Sequence, residues 1–126
     1  MKRRTVEWVE KAEGDSKMGK REMQAVDPHW DGICFLAQQC AEKYLKALLE
    51  EHNITFQKTH DLVALLDLSK GLLPELDPIR SQLAHLSTFG LAARYPGVRA
   101  DRQASENALK TVENVRTVVR RKLGLP

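Results

Sequence analysis

Residues 32–52 read GICFLAQQCAEKYLKALLEEH, and the spacing of polar and apolar positions in this stretch decides the fold. With Gln38 at 0° and 100° per residue, Gln38, Glu42, Lys46, Gln39, Glu50 and Lys43 fall within one arc of about 140°. Leu36, Ala47, Cys40, Ile33, Tyr44, Ala37, Leu48, Ala41, Cys34, Leu45 and Leu49 fill the remaining arc of about 220°, roughly twice what a helix on a bundle surface uses. Phe35 alone interrupts the polar strip. The spacing predicts a helix from Gly32 to about His52, buried on two sides, by its own bundle and by something further.

The rest of the chain is helical by the same criterion. Thr5 to Ala25 carries a narrow stripe of Trp8, Ala12, Asp15/Ser16 and Gly19, and Asp27-Pro28 stops it. Gly14 and Gly19 each cost a helix about 1 kcal/mol relative to Ala, so this helix needs tertiary support. After a short connection, Thr59 is the expected N-cap of a short helix bearing Leu62, Val63, Leu65, Leu66 and Leu68, ended by Gly71. Pro74 or Pro78 opens a fourth helix, with Ile79, Leu83, Leu86 and Gly90 on one face, that runs to Pro96-Gly97. A fifth starts near Asp101 with the stripe Ala104, Ala108, Val112, Val115, Val119, and Arg116, Arg120, Arg121 and Lys122 crowd its last turns, where cations suit the helix dipole. The expectation is an all-α, up-and-down bundle of four long helices plus one short helix, forming a single domain over residues 1–126.

Composition narrows the function classes. The 126 residues are 42% hydrophobic and 29% charged, ordinary for a globular chain. The longest run without Asp, Glu, Lys or Arg, Ser81 to Ala93, is 13 residues, short of the roughly 20 a bilayer span requires. The opening MKRRTVEWVE has no apolar segment behind it, so no secretory signal is read and a cytoplasmic location is the default expectation. Net charge is +3, with the excess of cations in residues 72–126, a distribution compatible with RNA or phosphate contacts. Cys34 and Cys40 share a helix about 120° apart and cannot pair with each other there. The spacings of His29, His52, His60 and His85 match no metal motif, and no metal or other cofactor is expected.

Three pieces, FLAQQCAEKYLKALL from Phe35 to Leu49, KTHDLV from Lys58 to Val63, and ARYPG from Ala93 to Gly97, occur in an order and spacing that resemble the HEPN domain family. The resemblance implies a dimerising helical bundle. It also implies a setting, since stand-alone members are often encoded beside a minimal nucleotidyltransferase, as in toxin–antitoxin pairs. Many HEPN proteins are metal-independent ribonucleases whose motif is an Arg followed four to six residues later by His. Arg80-Ser81-Gln82-Leu83-Ala84-His85 has that spacing, with Ser81 and a leucine-rich setting departing from the usual texture. On an ideal helix Arg80 and His85 lie about 140° apart, so a shared site needs a distorted helix or two copies of the motif.

The candidate residues each have a plain structural alternative. Arg80 would hold a scissile phosphate and His85 would serve as general base or acid, but such a pair also arises by chance in helical proteins. Lys43, Lys46 and Arg94 are candidate nucleotide or RNA contacts. The strip holding the two lysines otherwise reads as a solvated face, and Arg94 as a cation closing a helix C-terminus. Phe35 could stack a base or meet a partner. His60 reads as a local capping or bridging residue. Two functions follow. The preferred one is a homodimeric module binding nucleotide, RNA or a nucleotidyltransferase partner in a toxin–antitoxin pair. The alternative is a metal-independent endoribonuclease using Arg80 and His85.

Overall fold

The 32–52 stretch lies in α2, Trp30–Glu51, the axis about which the rest of the chain is arranged. The computed structural model describes residues 1–90 and 95–126. His29 caps α2, its Nδ1 accepting the Gly32 N–H at 3.1 Å. A Cβ on Gly32 would sit 2.9 Å from that nitrogen, so the cap requires glycine. Asn53, with φ +57°, turns the chain away at the other end.

Around α2 pack α1 (Arg3–Met23), α3 (Leu62–Leu68), a 3-10 helix (Pro74–Ile79), α4 (Arg80–Ser87) and α5 (Arg102–Lys122). Cross-helix pairs fix the directions. Arg4 meets Glu50 and Asp15 meets Lys43, so α1 runs antiparallel to α2. Cys34 meets Ser105 and Tyr44 meets Arg120, so α5 runs parallel to it. The short segments between them provide the return leg of an up-and-down bundle, and no strand forms among the described residues. Nor is any helix among them long and apolar enough to cross a membrane.

The buried face of α1 is Thr5, Val9, Ala12, Asp15, Ser16 and Gly19, which takes in the expected stripe except Trp8, only half-buried, and its small residues let the helix approach closely. Asp101 caps α5 by accepting the Ala104 N–H at 2.8 Å, and Ala108, Val112, Val115 and Val119 point inward. Ala104 is only half-buried; Ser105 occupies the interior position, bonded to the Trp30 carbonyl at 3.3 Å. Cys34 and Cys40 are buried and unlinked, and burial pushes the Cys40 thiol up to about 12.

Three features differ from the sequence expectation. Among the described residues three helices are long, at 21, 22 and 21 residues, while the fourth segment is divided. Pro78 has no N–H to give and its ring collides with an α-helical carbonyl four residues back, so Pro74–Ile79 winds as a 3-10 helix. The eight residues of α4 then close through i−3 bonds, Thr88 to His85, Phe89 to Leu86 and Gly90 to Ser87. The cap of α3 is Asp61, which accepts the N–H groups of Val63 and Ala64; Thr59 instead accepts the Asp61 N–H. The wide apolar arc of α2 is covered by the chain itself. Ile33, Cys34, Ala37, Cys40, Ala41, Tyr44, Leu45, Ala47, Leu48 and Leu49 are all at most 2% exposed within one copy. The arc therefore marks a central helix and does not by itself imply a second molecule.

One polar cluster ties the three long helices. Arg116 on α5 grips Glu13 on α1 with two bonds of 2.7 and 2.8 Å. The buried Tyr44 hydroxyl donates to Glu13 at 2.7 Å and accepts from Arg120 at 3.0 Å. The Arg116 bond, opposed by burial and helped by Tyr44, holds the Glu13 carboxyl down at about 2 against an ordinary 4.5. A carboxyl lowered on folding stabilises the fold above its ordinary value and loses that contribution as pH falls toward the folded one. Glu13→Gln is expected to cost about 1–3 kcal/mol at neutral pH, as for a hydrogen bond to a charged group. Thermal melts across the acid range check it: the wild-type midpoint drops more steeply than the variant's between pH 4.5 and about 2.

Candidate functional site

The polar strip of α2 is not a solvated face. Gln38 is fully buried, and Glu42 and Lys46 are 4% and 6% exposed, because the segment before α3 and Gly90 lie across them. Burial of this kind requires each polar atom to find a partner. The Gln38 amide donates to the His60 carbonyl at 2.9 Å and to Glu42 at 3.2 Å, and accepts from Gln39 at 2.7 Å. Glu42 receives Lys46 Nζ on one oxygen at 2.9 Å and faces His60 Nδ1 with the other at 2.7 Å. Burial alone would raise the Glu42 carboxyl; the bonds from Lys46, His60 and Gln38 outweigh it and hold it below the usual carboxylate range. Lys46 Nζ also sits 5.5 Å from the Trp8 ring centre and 5.8 Å from that of Phe56. A Cβ on Gly90 would come within 3.1 Å of the Gln38 amide and 3.2 Å of His60 Cβ, so glycine lets this closure form without either neighbour giving way by a few tenths of an ångström.

This arrangement places two of the candidate nucleotide contacts. Lys46 is enclosed by Glu42 and the two aromatic rings and presents no cation to solvent. Lys43, half-buried, is bound to Asp15 at 2.6 Å. Arg94, the third, lies outside the described residues. His60, read from sequence as a local bridge, does bridge: its half-exposed ring rests on the buried Glu42.

Arg80 and His85 leave α4 in different directions. Arg80 pairs with Asp67, the residue before the last of α3, at 2.7 Å, both groups being about half exposed. A surface pair of this kind is worth about 0–1 kcal/mol, so it sets where Arg80 rests without immobilising it. His85 stands edge-on to Phe89, ring centres 5.6 Å apart, and lines a cleft of about 490 Å³ between α4 and α5. Ser81 and Gln82 share that wall, Asn107, Lys110 and Asn114 form the opposite one, and Leu86 and Ala108 make the floor. Arg80 is not among the residues that line it, and none of those residues is acidic. The α5 wall escaped the sequence reading, although Asn107, Lys110 and Asn114 recur at helical spacing. Among the described residues no group of three or more His, Cys, Asp or Glu is placed to hold a metal ion.

The model of the HEPN domain family matches residues 5–122. The chain belongs to the HEPN domain family. The crystal structure of TT1696 from Thermus thermophilus is similar with a TM-score of 0.77 at 22% identity, over 96% of this chain and 99% of that one. ST0689, an archaeal HEPN homologue, is similar with a TM-score of 0.67 at 25% identity, over 98% of each chain. No curated protein matches the chain. Both structures share the fold over nearly the whole of this chain, and the likeness to TT1696 speaks for the fold alone.

The buried cluster makes a clear energetic expectation for this HEPN bundle. Removing one partner of a buried ion pair strands the other, at about 3–5 kcal/mol, whereas replacing both by apolar groups is often near neutral. Glu42→Ala should therefore destabilise by about that amount in urea unfolding, and adding Lys46→Met should recover a large part of the loss.

Proposed function

We propose that this HEPN protein is a binding module, acting as a homodimer on nucleotide, RNA or a minimal nucleotidyltransferase partner as one component of a toxin–antitoxin pair. The separation of Arg80 from His85 carries the reading. Cleavage by this pair requires both groups on one phosphate, Arg to stabilise charge and His to move a proton. Here Arg80 faces Asp67 on α3 while His85 faces the α5 wall. A bundle with a donor-lined cleft and a divided motif suits recognition better than chemistry. Lys43 would contribute to binding only by exchanging Asp15 for a phosphate, and Lys46 only through the integrity of its cluster. Arg94 stays a proposed contact.

The endoribonuclease reading has one observation in its favour, namely that His85 is exposed on an open cleft. A second copy bringing its own Arg80 to that cleft would complete a site. Metal-free incubation with RNA separates the two, comparing wild type, Arg80→Ala and His85→Ala at equal folded fraction. The module reading expects no cleavage by any of the three. Cleavage by wild type that falls by about 10²–10⁴ in both variants would establish the enzyme instead.

Dimerisation is tested on its own. Light scattering at micromolar concentration should give twice the mass of one 126-residue chain. A monomer in the absence of any partner would count against the homodimer.

A further inference from the structure

The exposed side of α5 continues from the wall of the cleft to the end of the helix. Gln103, Asn107, Lys110, Asn114, Thr117 and Arg121 recur at spacings of three and four and are all exposed. They form one strip in which amides and a hydroxyl separate two cations. Eleven residues of helix place Lys110 and Arg121 about 16 Å apart along the axis. Neither cation makes an ion pair within 4 Å among the described residues, unlike Lys43, Lys46, Arg80, Arg116 and Lys122, although Glu75, bound by Lys122, also feels the charge of Arg121. Glu106 and Glu113 border the strip on the side toward α1, and Glu113 is already engaged by Arg116 and Lys20. At the far end Thr117 and Arg121 help line a second hollow of about 490 Å³, whose other arginines, Arg116 and Arg120, are held by Glu13.

The hydrogen bonds inside the first cleft leave it donor-rich. Ser81 donates to the side-chain Oε1 of Gln82 at 3.0 Å, and Gln103 donates to the side-chain Oδ1 of Asn107 at 3.1 Å. Both bonds occupy acceptors, so the amide –NH₂ groups of Gln82 and Asn107 remain to donate, beside Lys110 and His85. The floor of Leu86 and Ala108 is apolar. A site with cationic and amide donors above an apolar floor suits an unstacked base with its phosphate.

We propose that the α5 strip is a track for single-stranded RNA, with one base in the α4–α5 cleft, a phosphate on Lys110 and a later phosphate on Arg121. Charge complementarity selects a polyanion. The cleft selects a single strand, since a duplex keeps its bases stacked and has none to insert. The 2′-hydroxyl, both donor and acceptor, matches the Ser81 hydroxyl and the amides along the strip. The inference rests on the reading of the protein as an RNA-binding module and names the surface that reading needs.

The test is fluorescence anisotropy with a short, labelled, mixed-sequence single-stranded RNA across a salt series, with single-stranded DNA of the same sequence as the second arm. Wild type is compared with the double variant Lys110→Glu/Arg121→Glu and with Lys17→Glu, an exposed α1 cation off the strip. Thermal melts confirm equal folding. The expected result is a loss of about tenfold or more in the double variant, a slope of log K against log salt shallower by about 0.7 per cation removed, and no change for Lys17→Glu. RNA binding that the double variant retains overturns the strip and leaves the module reading in place. Absence of RNA binding by wild type overturns the strip together with the RNA arm of the module reading, and equal or tighter binding of DNA overturns the choice of RNA.

Discussion

A helix buried over most of its surface must satisfy its buried polar residues from within the protein, and α2 lives under that constraint. Gln38, Glu42 and Lys46 sit beneath the segment leading to α3, and none can turn to bulk water. The solution is a closed set of bonds in which Glu42 is shared by Lys46, His60 and Gln38. Its surroundings match it: Gly90 against the Gln38 amide, a histidine immediately before the Asp61 cap, and Trp8 with Phe56 around the lysine. The second cluster, Glu13 with Tyr44, Arg116 and Arg120, does the same at the other side of α2 and fixes the helix order. Polar contacts of this kind contribute less to total stability than apolar burial but restrict which packing is allowed.

Periodicity made the architecture legible. The stripes of α1, α2 and α5 are set by spacing alone, and each residue of the α2 arc except Leu36 proves buried. The same angular argument misread the polar arc, because a wheel shows which residues share a face and is silent on what covers it. Gln38, Glu42 and Lys46 look like a solvated strip until residues far along the chain, His60 and Gly90, are laid over them. The division of the fourth helix was half legible: Pro74 and Pro78 were both read as possible starts, and the structure uses both, winding a 3-10 helix from Pro74 to Ile79 before α4 begins.

The candidate site was legible in part for a related reason. The 140° separation of Arg80 and His85 followed from helical geometry, and the two side chains do reach different neighbours, Asp67 and the α5 wall. The partners of His85 could not be read from its own segment, since Asn107, Lys110 and Asn114 arrive from another helix. Family membership supplies the fold; the side chains decide what the bundle can bind.

The bond between Glu13 and Arg116 spans 103 positions of the chain. During synthesis α1 and α2 emerge first and can form a hairpin through contacts local in sequence. Glu13 and the Tyr44 hydroxyl are then placed without their α5 cations, since Arg116 and Arg120 are still to be translated. Until α5 arrives that carboxylate stays hydrated, and the bonds joining the first helix to the last form only when the 103-position separation between them is closed, a contact whose entropic cost is met late in folding.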